Sequence, residues 1–182
     1  FLHTNTSLQS FHIEPLFECG RCETSNTLAP EPSEFAAEMI KALAYARENN
    51  FEIFYSGGRL DKVTEHFCGA TGSSFCVTPQ GDVSSCYEVN KDDDPRKDVF
   101  FFGRYNPDNG EYEFDEEKLK FLRTRNVNNI EHCQSCFLKF NCAGDCPAKV
   151  ALSGDMFDAS KNTRCSINQS IGVDALEHSL HD

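Results

Sequence analysis

The sequence has no tryptophan, few basic residues and no long apolar run, and these shortages narrow the choice of protein class. Seventeen lysines and arginines stand against 29 acidic residues, giving a net charge of −12. Proteins that bind nucleic acid usually present a basic patch or stripe, so the composition argues against a nucleic-acid partner. No apolar run approaches the roughly 20 residues of a membrane-spanning helix, which argues against a membrane protein. Residues 1–10 lack the charged start and apolar centre of a secretory signal, and we expect a cytoplasmic protein.

Cysteine is the residue type that the sequence has in excess. There are ten cysteines in 182 residues, while hydrophobic residues make up only 39% of the chain. Disulfides stabilise small secreted proteins of this composition, but here no secretory signal accompanies the cysteines. We therefore interpret the clustered cysteines as metal ligands, and bound metal would help to stabilise a chain with a limited apolar core.

The first third of the chain has the pattern of a strand, a helix and a second strand. Residues 9–17 are predicted to form a strand, residues 34–48 a helix capped by Ser33, and residues 51–55 another strand. This order and length are typical of one βαβ unit. Because such a unit leaves its sheet edges unpaired, we interpret it as a corner of a larger α/β barrel.

The pattern changes after residue 60 to short strands and turns. Residues 75–78 and 83–87 are predicted to be strands joined by a turn at 79–82, which contains proline and glycine. Residues 99–102 are predicted to form a further strand, and residues 103–114 a turn-rich loop.

Two short helices complete the predicted fold. Asp115 is predicted to cap a helix that runs to about residue 124, with Leu122 facing inward. Pro147 suits the first position of a second helix, which Gly154 would end. The whole is an α+β chain with a β-hairpin and short helices in its cysteine-rich part.

The cysteines after residue 60 form two blocks with defined spacing. The first is Cys68-x12-Gly81-x4-Cys86, and the second is Cys133-x2-Cys136-x5-Cys142-x3-Cys146, followed by Cys165 after 18 residues. A pair such as Cys133 and Cys136 can place two thiolates on one metal from a single turn, whose N–H groups can point at the sulfurs. Sets of four soft thiolates favour zinc or an iron–sulfur cluster.

This spacing resembles the SPASM domain of radical S-adenosylmethionine enzymes, in which seven cysteines and a glycine recur in this order. The resemblance covers residues 68–165, with Gly81 as the glycine, and residues 1–60 more loosely resemble the last strands of the radical enzymes' partial (β/α) barrel. We therefore predict a barrel remnant at 1–62, a SPASM domain at 63–170 and a tail at 171–182.

The resemblance implies two auxiliary [4Fe-4S] clusters. The first would be bound by Cys68, Cys86 and Cys146, with Cys76 as the candidate fourth ligand or, alternatively, a half-buried thiol in a strand. The implied ligands of the second cluster are Cys133, Cys136, Cys142 and Cys165.

Four residues near the end of the first predicted strand are less clearly assigned. Cys19 and Cys22 could approach a substrate, form a redox pair or be ordinary loop thiols. The resemblance implies that Glu14 and Arg21 contact the sulfonium cofactor or a peptide, although a salt bridge or a capping role would explain them equally well.

The C-x3-C-x2-C loop that starts radical chemistry is missing. Cys142-x3-Cys146 is followed by Lys149 where a third cysteine would be needed. No catalytic residue is therefore assigned, and we expect this chain to be the C-terminal part of a longer enzyme that carries S-adenosylmethionine and a third [4Fe-4S] cluster. The resemblance implies a peptide or protein substrate and a redox donor such as ferredoxin or flavodoxin. The alternatives are a stand-alone iron–sulfur carrier or scaffold, a structural zinc protein and, last, a disulfide framework.

Overall fold

A computed structural model describes residues 1–18, residue 22 and residues 25–180, and these residues form a mixed α+β structure. The strands are β1 (Ser10–His12), β2 (Glu52–Phe54), β3 (Cys76–Val77), β4 (Asp82–Ser84), β5 (Phe101–Asn106) and β6 (Glu111–Phe114). The α-helices are α1 (Leu2–Asn5), α2 (Pro32–Glu48), α3 (Lys97–Phe100), α4 (Glu116–Thr124), α5 (Lys139–Cys142), α6 (Pro147–Val150) and α7 (Arg164–Ser179). No helix in these described ranges is long and apolar enough to cross a membrane.

The chain divides into two compact units. The first unit comprises Phe1–Lys62 and Thr163–Asp182, and the second comprises Val63–Asn162. The assignment of these segments to a barrel remnant, a SPASM domain and a tail stays a prediction.

The first unit contains the predicted strand–helix–strand order, and its two strands pair in parallel, as a βαβ connection requires. Ser10 lies opposite Glu52, and His12 lies opposite Phe54. Both strands are shorter than predicted, because only three residues of each find a partner. The larger barrel that we inferred from this unit stays a prediction.

Helix α2 packs its apolar face on helix α7. Ala36 and Met39 are buried with Tyr55, Ile167 and Ile171 in one cluster. The predicted cap at Ser33 is wrong, since the helix already begins at Pro32, whose fixed φ suits the first turn and whose missing N–H costs nothing there.

The second unit is built on an antiparallel sheet in the order β3-β4-β5-β6. The predicted hairpin between β3 and β4 is confirmed, although both strands are shorter than predicted and the second ends at Ser84 rather than at residue 87. Its Gly81 adopts a φ of +87°, and the Gly81 N–H donates to the carbonyl of Thr78 at 2.9 Å. Most residues avoid this backbone region, so the turn accounts for glycine at this position.

The prediction of a loop at 103–114 is wrong, because these residues form the hairpin of β5 and β6. The turn residues between the strands suggested a loop, but they occupy only the connection, which Gly110 closes by donating to the carbonyl of Asn106 at 2.9 Å. The rings of Tyr105 and Tyr112 lie opposite each other, 5.3 Å apart, and stabilise the pairing across the strands. The predicted strand at 99–102 is also partly wrong, since α3 runs to Phe100 and β5 begins only at Phe101.

The core of the second unit lies between this sheet and α4. Phe100, Phe101 and Phe102 are all buried in it, and Leu122 enters it from α4 with no exposed surface. The predicted cap of α4 is confirmed, because Asp115 accepts a hydrogen bond from the Lys118 N–H at 3.0 Å. The predicted start of α6 at Pro147 is confirmed as well.

Candidate functional site

The β3–β4 hairpin brings two of the predicted ligands together. Cys76 lies on β3 opposite Ser84, and Cys86 follows the end of β4. The thiol of Cys76 donates to the backbone carbonyl of Cys86 at 3.7 Å. Cys76 is therefore adjacent to a motif cysteine, as a fourth ligand of the first cluster would have to be.

Cys86 is half-buried. Burial raises the pKa of its thiol, while the backbone N–H groups of Glu88 and Val89 oppose that shift. Backbone N–H groups near a sulfur stabilise its thiolate without supplying a proton that could neutralise it. Cys86 also packs against the apolar core of the second unit.

Cys146 occupies a similar environment at the first turn of α6. Burial raises the pKa of its thiol to about 11, and the negative charges of Asp145 and Cys68 act in the same direction. The N–H groups of Lys149 and Ala148 oppose the shift. Only the thiolate form of cysteine binds metal. A thiol with this pKa would be deprotonated near neutral pH only when a metal cation is bound to it.

The charge of Cys68 thus influences the Cys146 thiol, although 77 residues lie between them in the sequence. Cys68 is exposed and begins the short 3-10 helix Gly69–Thr71 in an extended conformation. Both residues belong to the second unit.

The second cysteine block is a chain of tight turns. Cys133 ends the 3-10 helix Glu131–Cys133, and its backbone carbonyl accepts from the Cys136 N–H at 3.2 Å. Helix α5 then places Cys142 one short turn later. Cys133 is buried, whereas Cys136 and Cys142 are half-buried.

The three residues between Cys142 and Cys146 all have a left-handed backbone. The φ values are +51° at Ala143, +74° at Gly144 and +59° at Asp145. A run of left-handed residues is costly for L-amino acids, and such strain persists only where surrounding contacts enforce it.

The contacts that hold this segment are polar and buried. The carboxylate of Asp145, only 2% exposed, accepts from the Cys146 N–H at 2.7 Å and from the Asn162 side chain at 2.8 Å. The carbonyl of Gly144 accepts from Nη2 of Arg125 at 2.8 Å. The direction of the chain between the two cysteines is therefore fixed by neighbours that lie outside the motif.

Arg125 is the functional candidate that the sequence analysis missed. It follows α4, is fully buried, and donates through Nε to the carbonyl of Met156 at 2.9 Å. Its Nη1 atom is buried without any hydrogen-bond partner. Burial lowers the pKa of its guanidinium, and the negative groups that oppose this shift are Cys146, Asp145, Cys133 and Cys68.

The polar residues at the strand ends of the first unit form a separate group. Glu14 follows β1; its Oε1 accepts from the Ser56 N–H at 2.7 Å, and its Oε2 lies 3.0 Å from the guanidinium of Arg164. His12 lies 2.7 Å from the same carboxylate. This arrangement gives Glu14 the salt bridge that we weighed against cofactor contact.

The remaining predicted residues are Cys165, Cys22, Cys19 and Arg21. Cys165 lies in the first turn of α7 and belongs to the first unit. Cys22 is half-buried, while Cys19 and Arg21 lie outside the described residues. None of the nine cysteines that the structure describes is part of a disulfide.

Within the described ranges, no three cysteine, histidine or acidic side chains converge closely enough to hold a metal ion as they stand. A tetrahedral zinc ion, with Zn–S distances of about 2.3 Å, requires such convergence on one point. A four-iron cluster is larger, and its thiolates surround a cube of iron and sulfide rather than one ion. In loop-rich metal sites, ligand convergence is coupled to binding.

Comparison with known proteins adds no identification. No protein-family model matches the chain, and no curated protein is detectably similar to it. The functional argument therefore depends on the cysteines and their surroundings.

Proposed function

We propose that this chain binds two auxiliary [4Fe-4S] clusters and is the cluster-binding portion of a radical S-adenosylmethionine enzyme that modifies a peptide or protein. The observation that carries the proposal is the fully buried guanidinium of Arg125, which donates to the carbonyl of Gly144 between two motif cysteines and whose charge interacts with Cys68, Cys133 and Cys146. Thiols that served only as small apolar side chains would gain nothing from a buried cation, whereas thiolates bound to metal would.

The chemistry of these residues fits a thiolate-bound cluster. The available donors are soft sulfurs, backbone N–H groups oppose the rise in the thiol pKa of Cys86 and Cys146, and Nη1 of Arg125 is an orphaned buried donor. An iron–sulfur cluster carries net negative charge once four thiolates bind it, and N–H groups and nearby cations stabilise that charge. If the cysteines were neutral apolar side chains in a core, the N–H groups and the buried guanidinium would have no negative charge to stabilise.

The ligand assignment follows the motif. The first cluster takes Cys68, Cys86 and Cys146, and the contact between Cys76 and the Cys86 carbonyl supports Cys76 as the fourth ligand. By motif position, the ligands of the second cluster are Cys133, Cys136, Cys142 and Cys165.

When bound, such clusters supply one-electron transfer at low potential. The chain's own part is to hold the thiolates, to lower the pKa of the Cys86 thiol through the backbone N–H groups of Glu88 and Val89, and to keep water from the buried sulfurs. The longer parent enzyme would supply S-adenosylmethionine, a third cluster and the peptide site, and would take electrons from a ferredoxin or flavodoxin. Cofactor contacts by Glu14 and Arg21 remain part of this proposal.

A stand-alone iron–sulfur carrier or scaffold is the second candidate. It is favoured by one feature of the sequence, the missing third cysteine at Lys149 after Cys142-x3-Cys146. The two candidates bind the same clusters here and differ only in whether a C-x3-C-x2-C loop is present elsewhere in the protein.

The test is anaerobic purification of the chain, with iron, sulfide and zinc measured beside the visible spectrum. We expect about eight irons and eight sulfides per chain, the sum of two four-iron clusters. About two zinc ions and no sulfide, from iron-replete cells, would overturn the proposal and leave a structural zinc protein.

Single-cysteine variants locate the clusters. Cys86→Ala and Cys136→Ala should each remove one cluster, about half of the iron, and Cys76→Ala should alter the spectrum of the first cluster only. Cys22→Ala is the matched control, because this half-buried cysteine lies outside the motif and its loss should leave the iron content unchanged. Equal iron loss in all four variants would contradict the assignment.

A further inference from the structure

The position of Arg125 is unusual for an arginine. It follows the last turn of α4, where a cation is ordinarily favourable but solvated, yet it has no exposed surface. Burying an unpaired charge is costly, so an arginine is retained in such a place only when negative groups compensate it.

Its hydrogen bonds account for only part of the guanidinium. Nε and Nη2 donate to the carbonyls of Met156 and Gly144, which are neutral acceptors. Nη1 is left without an acceptor. A side chain whose only role was to hydrogen-bond the carbonyls of two loops would not need the positive charge of a guanidinium. It would also not leave one nitrogen without an acceptor.

Arg125 lies against the segment that joins the two proposed ligand sets, because Gly144, whose carbonyl accepts from its Nη2, stands between Cys142 of the second set and Cys146 of the first. Asp145 supplies one negative charge, but its two oxygens already accept from the Cys146 N–H and from Asn162. Cys146 and Cys68, which are assigned to the first cluster, and Cys133, which is assigned to the second, also interact electrostatically with this guanidinium.

We propose that the Arg125 guanidinium is a buried counter-charge shared by the thiolates of both cluster sites, and that it raises the reduction potential of each. The inference rests on the proposed function and adds to it a positioning residue outside the cysteine motif. A fixed positive charge stabilises the more negative, reduced form, so its removal makes reduction harder. At a distance of about 10 Å in a protein interior, one unit charge changes the equilibrium between the oxidised and the reduced cluster about tenfold.

The test uses the full chain, purified anaerobically, and a dithionite titration followed by electron paramagnetic resonance. In Arg125→Gln the charge is lost while an amide donor remains for the carbonyls. We expect both midpoint potentials to fall by about 59 mV. For a one-electron couple, this shift corresponds to a tenfold change in the ratio of reduced to oxidised cluster. Iron and sulfide content should stay near the wild-type values.

Two further variants separate charge from packing. Arg125→Lys keeps the charge but cannot reproduce the fork that reaches both carbonyls, and both potentials should stay near those of the wild type. Arg123→Gln removes the same charge from an exposed position two residues away, where solvent screens it, and should shift the potentials far less than tenfold.

The outcomes distinguish the inference from the function on which it depends. A wild-type chain without iron and sulfide overturns both. Clusters whose potentials are the same in Arg125→Gln and Arg123→Gln overturn the inference alone, as do equal shifts in Arg125→Gln and Arg125→Lys. If Arg125→Gln does not fold, Arg125→Met replaces it beside Arg125→Lys: lower potentials in the methionine variant alone support the counter-charge, and equal potentials in the two variants refute it.

Discussion

Gly144 lies at the point where the backbone between two predicted ligands meets the core. Its φ is +74°, and a Cβ atom built on it would lie 2.3 Å from Cδ1 of Ile130, which is itself fully buried. Gly144→Ala therefore has two costs. The left-handed backbone costs an alanine about 1–2 kcal/mol, and forcing a methyl group into a packed core costs about 1–3 kcal/mol more.

Gly110→Ala is the matched control for this variant. Gly110 has the same φ of +74°, but its nearest neighbour would be the Tyr105 hydroxyl at 3.9 Å, an ordinary contact. Both alanine variants should therefore lose stability through the left-handed backbone, whereas only Gly144→Ala should also lose stability through overpacking. We expect Gly144→Ala to be less stable than Gly110→Ala by about 1–3 kcal/mol.

Urea unfolding of both variants, followed by far-ultraviolet circular dichroism, measures this difference. Because the strained segment joins Cys142 to Cys146, Gly144→Ala should also bind less iron than Gly110→Ala. Equal unfolding midpoints and equal iron contents in the two variants would refute the argument that packing on Ile130 fixes this segment.

The remaining predictions concern the framework of the second unit. The Arg96 side chain hydrogen-bonds Asp94 and holds the pKa of that carboxyl below its usual range. The ionised Asp94 therefore stabilises the folded state at pH values above its unfolded-state pKa, about 3.9. This stabilisation is lost as the pH falls through the lower pKa of the folded state. Asp94→Asn should therefore flatten acid unfolding curves in that range; unchanged curves would contradict the pairing. Asp115→Ala removes the cap of α4 and should cost about 1 kcal/mol in urea unfolding; no loss would mean that the cap contributes nothing. Leu122→Ala should cost about 2–5 kcal/mol, well above Phe121→Ala on the exposed side of the same helix, and equal losses would count against the described core.

The sequence predicted those elements whose signals are local. The cap at Asp115, the turn at Gly81 and the helix start at Pro147 each depend on one residue whose backbone or side chain has a strong preference. The hairpin of β5 and β6 was missed because its partners lie across a turn-rich connection. Pairing of Tyr105 with Tyr112 is a cross-strand contact, which spacing along the chain does not reveal.

The surroundings of the cysteines were harder to predict than the cysteines. Spacing identifies candidate ligands because a turn brings nearby thiols together, but it says nothing of what faces them from other segments. Arg125 ends a helix, and a basic residue there is ordinarily explained by the helix dipole and by solvent. Only the folded structure shows that Arg125 donates to the Gly144 carbonyl and that its charge interacts with cysteines from other segments. Gly144 itself, inside Cys142-x3-Cys146, was the available local signal for the tight segment.

The two ligand sets differ in how the rest of the chain supports them. Cys86 and Cys146 pack against the apolar core, so their backbone is ordered by contacts that exist without metal. Cys136 and Cys142 are held mainly by the hydrogen bonds of short turns, and Cys133 has only a small cluster with Val127 and Ile130 beside it. Short turns with few apolar neighbours open at low free-energy cost, so the proposed cluster, if bound there, would contribute most of their order. Arg125 contacts the strained segment that joins the two regions, and loss of metal from one set would therefore be felt at the other through this residue.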